Sequence, residues 1–166
     1  MRAALALLGA VLASPALAAP DTPESAVREV FAPYSKSAED APEAEQRQIW
    51  TPEIDALIAR WQAVMPQNDV DALNDFDWLC QCQDWDARHF RVTLGRSRSQ
   101  RGGLVEVPVT IALGWNETRR ARLQMRQVGT RWLVANLYSK DFPRGLKAAL
   151  DQTIAEDAAL PHRDGD

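Results

Sequence analysis

The strongest constraint on the fold is a run of strict two-residue alternation. Val105, Val107, Val109, Ile111 and Leu113 place an apolar side chain at every second position. That period puts all five on one face of an extended strand and does not make a helix stripe. Asn116-Glu117 follows as a turn, and Ala121, Leu123 and Met125 resume the alternation. Arg120, Arg122 and Arg126 form a basic row on the opposite face of that strand, turned to water or a partner. Gly129-Thr130 suits a tight hairpin, because glycine accepts the positive φ its first central position needs. Residues 131–138 supply the next strand. Residues 91–94 begin an earlier one, set apart from the long strand by Gly102-Gly103. Pro108 has no N–H for a ladder, so an edge or a bulge is expected there.

Helical patterns flank this block. Thr22-Pro23 is a helix start, with Thr as cap and Pro in the first turn. Val27, Val30, Phe31 and Tyr34 form its apolar stripe, which Pro33 limits. Residues 35–48 are polar, acidic and proline-containing, and read as a connection. Thr51-Pro52-Glu53 repeats the start signal ahead of Ile54, Leu57, Ile58, Trp61 and Met65, and Pro66 ends that helix. A last helix is expected to start at Asp141-Phe142-Pro143, with Leu146, Ala149, Leu150 and Ile154 on its buried face. The expected class is α+β: N-terminal helices and a C-terminal helix packed on a curved antiparallel β-meander of about four strands.

Residues 1–18 carry the three-part pattern of a secretory leader: Met1-Arg2, an uncharged apolar run over 3–12, then Ala16-Leu17-Ala18. Cleavage after Ala18 leaves about 148 residues, of which 19–160 are expected to form one α+β domain and 161–166 a disordered polar tail. The apolar run is shorter than the roughly 20 residues a bilayer span needs. The protein is therefore expected in the periplasm or outside the cell, with no membrane span. Charge is unevenly spread. Residues 39–86 hold twelve acidic and two basic side chains, whereas 87–147 hold thirteen basic and three acidic. The two segments are either a solvated loop beside an arginine-studded sheet or a bipolar surface that steers a charged partner. A sequence pI near 5.2 argues against a nucleic-acid partner.

The chemistry-bearing residues crowd into the acidic segment. Asp69, Asp71, Asp75, Asp77, Asp84 and Asp86 lie within eighteen positions. Their spacing is not that of the twelve-residue calcium loop, so helix and turn capping competes with cation binding. Cys80 and Cys82 are one residue apart: a local disulfide, a free pair, or soft-ion ligands are the alternatives. His89 reads as a strand boundary. No nucleophile elbow, zinc spacing or phosphate loop is present, so no catalytic residue, metal site or cofactor is expected. Of the six tryptophans, Trp61 and Trp132 read as core, while Trp78 and Trp85 flank the cysteines as either loop pins or a binding surface.

Asp75-Phe76-Asp77-Trp78 with Gln83-Asp84 downstream, the alternating strand, and Gly129-Thr130-Arg131-Trp132-Leu133-Val134 resemble the secreted bacterial family catalogued as domain of unknown function 3828. That family is similar in plan to nuclear-transport-factor-2-like and cystatin-like curved-sheet folds. The resemblance runs over residues 24–156 and implies a fold and a compartment; the Cys80-Gln81-Cys82 insert departs from it. The leading reading is a non-catalytic periplasmic binding domain, of the immunity or inhibitor kind. Its binding residues are expected to be Asp75, Asp77, Trp78, Gln83, Asp84 and Trp85, and its partner another periplasmic protein or a small ligand. The alternatives are a ligand-binding or enzymatic cone between helices and sheet, and a metal or redox accessory protein using Cys80 and Cys82.

Overall fold

The computed structural model describes residues 22–36, 42–65 and 73–159. The leader, Asp69, Asp71 and the tail at 161–166 lie outside them. Three helices, α1 (Pro23–Phe31), α2 (Pro52–Val64) and α3 (Leu146–Ala159), accompany five antiparallel strands. These are β1 (Arg91–Leu94), β2 (Arg98–Ser99), β3 (Leu104–Gly114), β4 (Glu117–Val128) and β5 (Arg131–Tyr138). The sheet order is β1-β3-β4-β5, with β2 continuing the β1 edge along β3. The α+β class and the antiparallel sheet follow the two periods read from the sequence. No helix among the described residues is long and apolar enough to cross a membrane.

Alternation decides which face is covered. Val107, Val109, Ile111 and Leu113 of β3 and Ala121, Leu123 and Met125 of β4 are all buried. All three helices pack against the sheet. The reverse face of β4 keeps Arg120 and Arg122 in solvent, whereas Arg126 is half-buried. Arg122 donates to Glu106 Oε2 at 3.1 Å and lies over the Tyr138 ring, 4.9 Å from its centroid. Part of the basic row is thus neutralised within the sheet.

Pro108 sits where the β3 edge loses its partner. Leu94 pairs with Val109, the next pairing is Arg98 with Glu106, and the residues between leave the ladder. Only the Pro108 carbonyl is used there, accepting from Gly95 N at 2.8 Å. The missing N–H therefore costs no hydrogen bond.

Both helix starts are where the Thr-Pro signals put them, through different physics. Thr22 closes a capping box with Ser25. Thr51 makes no side-chain cap. Its N–H instead donates to Val134 O, and Val134 N donates to Ile49 O, so 49–51 adds a parallel bridge to the outer edge of β5. α3 starts at Leu146, later than the Asp141-Phe142-Pro143 signal implies. Gly145 has φ 91°, and a Cβ there would stand 2.6 Å from the Asn136 amide. The chain must complete that left-handed turn before it can coil.

Three tryptophans centre the core. Trp78 lies between Trp50 and Trp61, with ring centroids 6.0 and 5.6 Å away. Among the described residues the space between helices and sheet is filled by these rings, Tyr34, Leu79, Met125 and Leu137. Trp132 is half-buried at the margin of the core, not central to it.

Candidate functional site

The acidic segment folds into a compact loop over residues 73–86, and Asp77 organises it. Its Oδ1 accepts from Leu79 N and Cys80 N, both at 2.9 Å, which is an Asx-type turn. The same oxygen accepts from the Tyr34 hydroxyl at 2.6 Å, anchoring the loop to the end of the first helical segment. Burial, then the adjacent Asp77 carboxylate, push the Tyr34 hydroxyl far above the ordinary tyrosine range. Asp77 N donates to Cys82 O and Gln81 N to Asp77 O, closing the turn. Within it Cys80 and Cys82 form a disulfide, and Gln81 is left-handed at φ 56°. Both sulfurs are bonded to each other, so the thiolate pair of a soft-ion site is not present. No three of the described His, Cys, Asp and Glu side chains are placed to share a metal ion.

The structure divides the expected binding residues into two groups. Trp78 is 1% exposed and donates through Nε1 to Leu73 O at 2.6 Å. Trp85 is 8% exposed, donates to Tyr34 O and Lys36 O, and packs edge-on against Tyr34 at 4.9 Å. Neither indole presents a face to solvent; both pin the loop. Asp75, Gln83 and Asp84 are exposed. Gln83 holds the Asp75 carbonyl at 3.0 Å and its carboxylate at 3.2 Å, and Asp84 accepts from Trp85 N at 2.7 Å.

Asp75 and Gln83 border a cavity of about 200 Å³ between this loop and residues 42–45, whereas Asp84 lies outside its lining. Its wall combines Glu43, Glu45, Asp75 and Asp77 with Phe76 and the edge of Trp85. Burial holds the Glu45 carboxyl above its ordinary 4.5, and the neighbouring charges of Glu43 and Asp77 add to this. The compensating cation, Arg47, is turned inward: it donates to Val30 O and its guanidinium sits 6.0 Å from the Tyr34 ring centroid. The mouth is therefore anionic with apolar walls, suited to a cationic head on an apolar stem. Sequence reasoning missed Glu43 and Glu45, which lie thirty residues before the aspartates and come beside them only in the folded chain.

Glu45 has a testable pH signature. A carboxyl with a raised folded-state value holds its proton more tightly when folded, so its ionisation subtracts stability as pH rises through that value. Glu45→Gln is expected to raise the urea midpoint at neutral pH and to leave it unchanged well below 4.5. Paired urea melts at the two pH values check this; equal effects at both would contradict it.

At the same end of the molecule the β3–β4 turn is Trp115-Asn116, one residue earlier than the Asn116-Glu117 turn expected, at φ 48° and 65°. The shift puts Trp115 outside. It is 60% exposed, whereas strand parity carried one residue further would have buried it. Beside it, Asp86 Oδ2 contacts His89 Nδ1 at 2.5 Å, and this hydrogen bond holds the Asp86 carboxyl below its ordinary range.

No protein-family model matches this chain, and no curated protein does. Among solved structures it is similar to a chain of the type VI native effector-immunity complex Tae3-Tai3 from Ralstonia pickettii. The TM-score is 0.48 at 17% identity, covering 73% of this chain and 97% of that one. The selenomethionine form of that complex gives 0.49 at 17% identity, covering 72% and 97%. At that distance, function has to come from the site's own chemistry.

Proposed function

We propose that this chain is a non-catalytic protein-binding domain of the inhibitor or immunity kind, which seats a basic side chain of its partner in the pocket between residues 42–45 and 73–86. The observation that carries the reading is the lining of that pocket. Its four carboxylates include Glu45, held above its ordinary range by burial and by like charge, and no Lys or Arg is among the described residues that line it. A lysine or arginine entering there relieves the repulsion and buries its stem against Phe76. Export to the periplasm belongs to the same reading and is supported by the leader pattern and by the Cys80–Cys82 disulfide, a bond at home in oxidising compartments.

The experiment is charge reversal at exposed positions. Asp75→Lys with Glu43→Lys is expected to keep the melting temperature and to abolish recovery of a specific partner from periplasmic extract. The wild-type interaction should weaken with added salt, since rim charges act mainly on encounter and are screened. Asp77 is unsuitable for this purpose, because its carboxylate builds the loop. Unchanged recovery by the doubly reversed chain would sink the reading.

A further inference from the structure

We infer that Trp115, at the tip of the β3–β4 hairpin, is the aromatic anchor of that same protein interface and inserts into an apolar slot on the partner beside the basic group seated in the acidic pocket. This rests on the protein-binding reading above and adds a second contact to it. Trp50, Trp61, Trp78 and Trp85 are buried and Trp132 is half-buried, while Trp115 alone is mostly exposed. Its backbone is the costly one for such a residue. A bulky side chain at φ 48° is an outlier, in a left-handed backbone that glycine or asparagine would fit better. Local folding therefore does not favour an indole there: its backbone is strained and most of its apolar surface is exposed.

The tip is also held rigidly. Gly114, at φ 92°, lets the hairpin approach until a Cβ would stand 2.6 Å from Asp86 Cβ. Asp86 N donates to Leu113 O at 2.8 Å. Arg119 ties the other side, donating to Glu117 Oε2 at 2.9 Å and to Gln81 O at 3.3 Å. An aromatic ring on a clamped turn loses little freedom on binding, which is the property of a strong anchor. Continuity with the pocket follows from the chain itself. Trp85 lines the acidic pocket, and the next residue, Asp86, lines the groove beneath Trp115. A partner reaching over the 73–86 loop meets both.

The test places a photo-crosslinking phenylalanine analogue at position 115 of the full chain, with exposed position 127 at the far end of β4 as control. Irradiation in periplasmic extract is expected to give a discrete protein adduct from 115 and none from 127. Wild-type chain in excess should compete it away, and Trp115→Gly should not. With the protein so identified, Trp115→Gly is expected to weaken binding by about 30-fold or more. Its melting temperature should stay equal or rise, because glycine relieves the left-handed backbone. A fall in melting temperature with unchanged affinity would make the ring structural and overturn the inference. If Asp75→Lys lowers affinity and Trp115→Gly does not, the anchor fails and the pocket reading stands. If neither matters, both fail. No adduct at 115, or an adduct destroyed by glycosidases and not by proteases, also overturns it, the latter in favour of a glycan.

Discussion

Trp78→Ala is expected to lower the stability of the domain by about 3–5 kcal/mol, the range for removing a fully buried large aromatic. Trp78 is 1% exposed and holds Trp50 on one side and Trp61 on the other, so its loss opens a cavity at the junction of α2, the 73–86 loop and β5. It also removes the hydrogen bond to Leu73 O. The urea midpoint is expected to fall by 1 M or more, given a slope of about 1–3 kcal/mol/M for a domain of this size. Trp78→Phe should recover part of the packing and none of the hydrogen bond. A surface tryptophan would give the opposite result, a change within about ±0.5 kcal/mol. The measurement therefore separates a loop pin from a binding face.

Asp77→Ala is expected to cost about 2–4 kcal/mol, because one carboxylate oxygen serves three donors and hydrogen bonds to charged groups are worth more than neutral ones. Two of the donors are the Leu79 and Cys80 amides and the third is the buried Tyr34 hydroxyl. Hydrogen exchange at residues 79 and 80 should accelerate most, since their amides lose their acceptor directly. Asp77→Asn keeps an oxygen in place and is expected to cost less. Tyr34→Phe combined with Asp77→Ala should be less destabilising than the two single effects added, because each single change leaves the other partner buried and unserved. A loss below about 0.5 kcal/mol for Asp77→Ala would show that the disulfide alone suffices to shape the turn.

Much of the fold was legible because periodicity is a local property. The alternation at 107–113 and 121–125 named the buried face, with Val105 half-buried at its end, and Pro108 falls opposite the break between β1 and β2. Element ends were less legible. α3 begins after Gly145 because Asn136, nine residues earlier in the chain, crowds that glycine, and no local signal records a long-range contact. Thr51 looked like a cap, yet its N–H is committed to the β5 edge. The fifth strand, β2, is only two residues long and carries no pattern of its own.

The candidate site was half legible. The sequence pointed to the 75–86 segment and to Asp75, Gln83 and Asp84, which are exposed there. It did not separate these from Asp77, Trp78 and Trp85, which have the same residue types and opposite roles. An aspartate that caps a turn and one that faces solvent are identical in sequence; Asp77 is set apart by the Leu79 and Cys80 amides of the folded turn and by Tyr34, forty-three residues away. For the same reason Glu43 and Glu45 went unnoticed.

By itself, then, the sequence determined the α+β class, the covered face of the sheet and the opposed charges of its two segments. Those follow from side-chain period and composition, which act over a few residues. Tertiary structure alone decided that the acidic segment turns its tryptophans inward and gathers carboxylates from two distant stretches around one mouth. It also decided that a one-residue shift of the β3–β4 turn leaves Trp115 outside. A single residue of register moves a side chain from core to solvent, and the packing of Gly114 against Asp86, which holds that turn in place, has no counterpart in any local pattern.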